Sequence, residues 1–196
     1  MTEYSNFTVE FPERLQELDR EFQVIANKKE LEVTYLLMKL SAAFLLPYER
    51  LNGDSGASDI SSRQSIRSTL ELDKKFSQSS YFDTLEGLLK IEVDDFSRGP
   101  QAWAHKGEKL DTTVADVLKI IRHATAHSNI LFGGEGRIIQ HIYLGNRRER
   151  DRGSNKYSVI RCTIVALNSL MDAWISNVKR LRANPSVIWA EIEEAA

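Results

Sequence analysis

The 196-residue sequence holds one cysteine, four histidines and four prolines, and no apolar run long enough to cross a bilayer. A single thiol excludes a disulfide framework of the kind that staples small secreted domains. That residue, Cys162, sits in an apolar run, where its ordinary role is a small core side chain. The longest apolar stretch, residues 36–46, is interrupted by Lys39 and falls short of the ~20 residues a spanning helix needs. Charge of either sign is not in excess: 26 Lys and Arg against 28 Asp and Glu give a net charge of -2 and leave no global field to draw in nucleic acid. The first residues, Met1 to Asn6, lack the basic-then-apolar build of a signal peptide. These absences lead to the expectation of a cytoplasmic protein with no membrane segment, and of a single domain over 1–196 with its core at about 10–183 and an extension at 184–196.

What is present is mostly helical periodicity. Leu15, Leu18, Phe22 and Ile25 recur at spacings of three and four, predicting a helix over residues 12–28. Residues 29–51 are apolar around so much of the circumference that a central buried helix is expected, with a kink or break at Pro47. Residues 52–69, rich in Gly, Ser, Asp and Arg, read as a surface loop. A third helix is expected over 72–96, with Phe76, Phe82, Leu85, Leu88, Leu89 and Val93 as its apolar positions. A fourth opens at residues 110–113, where Asp111 or a following threonine can cap it and Asp116 complements the dipole. Residues 132–136 read as a flexible break. A hairpin follows, with strands at 137–144 and 157–161 and an arginine-dense tip between them. A last helix over 163–183 carries Ile164, Leu167, Leu170, Met171, Trp174, Ile175, Val178 and Leu181 on one face, and Trp174 fits its core stripe better than a binding role.

The fourth helix carries Arg122-His123-Ala124-Thr125-Ala126-His127. An arginine offers a planar fork that matches phosphate oxygens, and a histidine titrates near neutral pH, so the pair can bind and cleave a phosphodiester without a metal. At about 100° per residue, Val114, Val117, Leu118, Ile121, Ala124 and Thr125 fall on one side, with Asp116, Lys119, Arg122, His123, His127 and Asn129 opposite. The functional groups therefore face away from the helix's own core. Arg122 and His127 stand about 140° apart on that arc, an arrangement that gains from a second copy of the helix across a cleft, as a dimer supplies. RNA carries its own nucleophile in the ribose 2′-hydroxyl, so a metal-free arginine-histidine site favours RNA over DNA.

This segment resembles the R-x4-6-H motif of HEPN domains. With residues 33–51 and 120–130, the chain resembles HEPN proteins of the plasmid-associated pEK499-p136-like kind, over roughly residues 10–182. The resemblance implies an all-α HEPN-like helical bundle, here with a short β-hairpin before the C-terminal helix. It also implies a homodimer whose motif helices line a shared cleft, and a metal-independent endoribonuclease without cofactor. Carried onto this chain, His127 is the general acid or base and Arg122 binds the phosphate. His123 occupies a position where the family often has asparagine, and either supports the geometry or titrates as a second group. Glu49 is a candidate for a polar contact to the motif helix.

Other readings stand beside this one. Lys119, Arg147, Arg148 and Arg150 are candidates for RNA backbone contacts, though Glu149 and Asp151 dilute the tip and a plain solvated turn fits as well. His123 and His127, four apart, have the spacing of a zinc-chelating pair, but lack an obvious third ligand beyond Asp116, and no metal is expected. His141 reads as a surface histidine on a strand and His105 as a solvated loop residue. The functional expectation is a toxin or defence ribonuclease with an antitoxin partner. The alternative is a non-catalytic HEPN module that binds RNA, nucleotide or a partner protein.

Overall fold

The computed structural model describes residues 7–28, 31–45, 48, 51, 60–81, 89–103, 108–109, 112–135, 138–147 and 156–184. They divide into two compact units, residues 1–72 with 174–196 and residues 73–173.

The first unit is helical: α1 (Phe7–Lys28), α2 (Glu32–Lys39) running into a π-helical stretch (Leu40–Leu45), α3 (Ile60–Thr69), and the second half of α5 (Ile164–Arg182). The π stretch ends two residues before Pro47, which itself lies outside the described residues, and Ser41 already bonds back to the Leu37 carbonyl, a contact that bends helices. Its aromatic centre is Trp174, fully buried, with Phe44 edge-on at 5.2 Å and Tyr48 tilted at 6.2 Å. Lys39, which interrupts the apolar run, is nevertheless buried. Its ammonium meets Asp19 at 3.0 Å, and the Tyr35 hydroxyl donates to the same carboxylate. The helix expected to be buried all round is not so: Leu31 and Met38 are exposed, as are Leu18, Phe22 and Ile25 on α1. Residues 60–69, expected in a loop, form α3, whose Ile66 is buried.

The second unit overturns the expected all-α bundle. It is built on a five-stranded antiparallel sheet in the order β2-β1-β5-β4-β3, from β1 (Leu89–Val93), β2 (Glu108–Lys109), β3 (Ile130–Glu135), β4 (Ile138–Arg147) and β5 (Tyr157–Cys162). The expected hairpin strands are β4 and β5, but they are only the middle of the sheet. The helix expected over 72–96 does not form: Phe76–Gln78 and Phe96–Arg98 are single 3-10 turns, and β1 lies between them. Leu89, Lys90, Ile91, Glu92 and Val93 alternate apolar and charged, the period of a strand with one face buried, and Ile91 and Val93 are indeed buried. The expected flexible break at residues 132–136 is largely β3. Its register against β4 slips between Gly133 and Gly134, a bulge that two glycines accommodate.

The two faces of this sheet are filled differently. Ile142, Leu144, Ile160 and Cys162 alternate onto one face, fully buried, where α4 (Val114–Ala126) packs on β4 and β5. Burial pushes the Cys162 thiol up to about 12. The opposite face carries Ile91, Val93, Tyr143 and Val159, capped by Phe96 and Trp103 from the segment between β1 and β2. Gly145 is required there, since a Cβ would lie 2.7 Å from the Phe96 ring.

Candidate functional site

The motif helix α4 is fixed at both ends by local chemistry. At its start the Thr113 hydroxyl oxygen accepts from the Asp116 backbone N–H at 3.2 Å, while Asp116 accepts from the Thr113 backbone at 3.4 Å, a capping box. The hydroxyls of Thr112 and Thr113 also donate to Asp116, each at 2.8 Å. Burial opposes ionisation of Asp116, but these hydrogen bonds together outweigh it and hold the carboxyl below its usual range. Backbone bonds from Phe76 to Thr112 and from Val114 to Lys74 tie this end to the preceding segment. At the other end Ser128 adopts φ 55° and the Asn129 N–H returns to the Ala124 carbonyl at 2.9 Å, the long bond of a Schellman closure. Asn129 then accepts from the Gly145 N–H, which anchors the end of the motif on β4.

Between these ends the helix buries Val114, Val117, Leu118, Ile120, Ile121 and Ala124, leaving Lys119 and His127 exposed and Arg122 and His123 half-buried. The polar arc is thus where the sequence places it, with Ile120 added to the buried side. His123 and His127, one turn apart, stack with ring centroids 5.8 Å apart at an interplanar angle of 27°. The Arg122 Nη1 lies 3.4 Å from His123 Nε2. A guanidinium only donates, so a hydrogen bond here requires Nε2 as acceptor, the tautomer with its proton on Nδ1. His123 therefore bridges the angular gap between Arg122 and His127, and the three side chains form one continuous, partly exposed cluster.

The remaining candidates divide. Lys119 stands one turn before His123 on the same arc, and Arg147 is exposed at the end of β4. Glu49, Arg148, Arg150 and His105 lie outside the described residues. Among the described residues, no group of three or more histidine, cysteine, aspartate or glutamate side chains is placed to hold a metal ion. No helix among them is long and apolar enough to cross a membrane.

With the helix and its cluster in place, comparison with known families is decisive. The model of the family HEPN pEK499 p136 matches residues 1–182. The chain belongs to this HEPN family. Curated proteins and solved structures give no match. In this HEPN chain Arg122 to Ala126 form the last turn and a half of α4 and His127 is its C-cap residue, the helix being held at a fixed length by the capping box and the Schellman closure.

A second arginine-histidine contact escaped the sequence reading. On the sheet face opposite α4, Arg161 Nη2 donates to His141 Nε2 at 3.0 Å, and the buried Arg161 Nε has no partner among the described residues. Burial first, and the Arg161 charge second, pull the His141 pKa below its ordinary value. Strand alternation was the available signal: His141 and Tyr143 share a face and Arg161 stands directly across from Tyr143.

Proposed function

We propose that this protein is a metal-independent endoribonuclease acting through the Arg122, His123 and His127 cluster. The observation that carries the reading is the continuity of that cluster on the outward arc of a rigidly capped helix, in a chain of the HEPN family. In the reaction, the ribose 2′-oxygen attacks the adjacent phosphorus and the bond to the 5′-oxygen breaks. The proton leaves the 2′-hydroxyl for a base, and another reaches the departing 5′-oxygen, giving a 2′,3′-cyclic phosphate and a free 5′-hydroxyl. His127 is exposed, and its ring nitrogens have no hydrogen-bond partner among the described residues, which suits it to move one of these protons. Arg122 binds the phosphate and offsets the charge that grows on its oxygens in the transition state.

One cluster approaches a phosphate from one side only. A homodimer that faces two motif helices across the RNA strand is therefore part of the proposal, and light scattering tests it. In the cell, such an enzyme acts as a toxin or defence effector whose activity a partner protein restrains.

The deciding experiment is cleavage of bulk RNA in EDTA by wild type, His127→Ala and Arg122→Lys, with product ends examined for cyclic phosphate. Wild type should cut. His127→Ala should lose at least ~10²-fold, and Arg122→Lys should recover little, because an ammonium does not reproduce the two-oxygen grip. Intact RNA with wild type, or undiminished cleavage by His127→Ala, removes the enzymatic reading. Expression of wild type, but not of His127→Ala or Arg122→Ala, should arrest growth.

A further inference from the structure

A cleft of about 360 Å³ opens at the edge strand of the second unit, on the sheet face turned away from α4. Its floor is Gly133 with the phenol of Tyr143 laid over it. A Cβ on residue 133 would lie 2.8 Å from Tyr143 Cε2 and 3.3 Å from its hydroxyl, so glycine is what admits the ring. Arg98 and Gln101 line the wall, together with the peptide groups of Gly99 and Gly134.

Three features make this cleft a built site. Tyr143 is only 6% exposed, yet its hydroxyl has no hydrogen-bond partner among the described residues although the residue lines the cleft. The ring is buried while the hydroxyl opens into the cleft, where it is available to a ligand that can donate to it or accept from it. One cation, Arg98, stands on the wall of the cleft. Arg98 is largely exposed and touches Asp95 through Nε at 3.4 Å, which leaves its terminal nitrogens for another acceptor. The size is the third feature, since 360 Å³ lies at the small end of ligand pockets and suits one compact ligand.

We propose that this cleft binds a single ribonucleotide, with Arg98 on its phosphate and the Tyr143 hydroxyl and Gln101 amide on the edge of its base, against the glycine floor. The ligand class rests on the ribonuclease reading, and the position of the cleft fits it. Gly133 follows His127 by six residues, so the two sites lie no more than about 22 Å apart along the chain. A single strand passing from the α4 cluster around the β3 edge would place in the cleft a nucleotide a few positions from the scissile phosphate, where base recognition would choose the cutting position.

The test uses the full-length His127→Ala protein, titrated by NMR with the four ribonucleoside 5′-monophosphates, with ribose 5-phosphate and with inorganic phosphate. At least one nucleotide should shift the Gly133 and Gly134 amides more strongly than ribose 5-phosphate does. Tyr143→Phe, which removes one oxygen and keeps the ring, should weaken binding by roughly fivefold to tenfold, and Arg98→Ala by a similar factor. Equal binding of phosphate and nucleotides, no shift at these amides at millimolar ligand, or undiminished affinity in both variants overturns the proposal. RNA cleavage by wild type without nucleotide binding removes the cleft and leaves the enzyme. Nucleotide binding without cleavage does the reverse.

Discussion

The rings of His123 and His127 stack 5.8 Å apart on consecutive turns of α4, and the ring nearer the helix interior accepts from Arg122. Two groups that helical geometry alone sets on different edges of the polar arc are thereby joined through a third. In the proposed ribonuclease His123 thus acts as a positioning residue for the pair.

His123→Phe keeps a flat ring beneath His127 but removes both ring nitrogens, including the one that accepts from Arg122, whereas His123→Ala removes the ring as well. RNA cleavage should fall further in His123→Ala, by roughly a factor of ten relative to His123→Phe, for about 1.4 kcal/mol of lost positioning. The pH profile of His123→Phe should keep the wild-type shape. A profile that loses one limb would instead make His123 a proton-transfer group.

The cap of α4 predicts an acid sensitivity. The folded pKa of Asp116 lies below its unfolded value, so its contribution is complete above the unfolded value and is lost as pH falls through the folded one. Thr113→Ala should cost about 1 kcal/mol at neutral pH. Urea unfolding from pH 7 to pH 3 should show the variant losing less on acidification than wild type does.

In the helical unit, the buried Lys39 depends on Asp19. Asp19→Ala should destabilise by about 3 kcal/mol, because it takes a carboxylate from beside a buried ammonium. Asp19→Ala combined with Lys39→Met should recover most of this in thermal unfolding. Additive losses would show that the lysine does not depend on that carboxylate.

Lowering pH should also act through His141. Its folded pKa lies below the unfolded value, so the unfolded chain takes up the proton first. Stability from this source is complete above about pH 6.5, declines as pH falls through that value, and levels off below the folded pKa. Arg161→Gln should move the His141 titration upward in an NMR experiment, while burial keeps it below the ordinary value.

The sequence made the motif legible because α4 obeys one rule along its whole length, an apolar side and a polar arc with threonine at its start. The same holds for α5, where Leu167, Leu170, Met171, Trp174, Ile175, Val178 and Leu181 are all buried. What misled the reading was competition between periods. Leu85, Leu88, Leu89 and Val93 satisfy helical spacing, yet residues 89–93 also alternate, and pairing with β5 settles them as strand. Glycines 133 and 134 suggest flexibility when only local conformation is weighed, whereas here one admits an aromatic ring and both sit at a bulge. His141 and Arg161 are twenty residues apart, and only strand register brings them together.

Cys162, sealed beneath α4 with its thiol held in the protonated form, is chemically silent at ordinary pH. The native chain therefore accepts a probe at one introduced surface cysteine, such as Lys119→Cys on the motif arc, with no need to delete its own thiol first. Spin-label distances between two such chains would then report directly how far apart the motif helices stand in the proposed dimer.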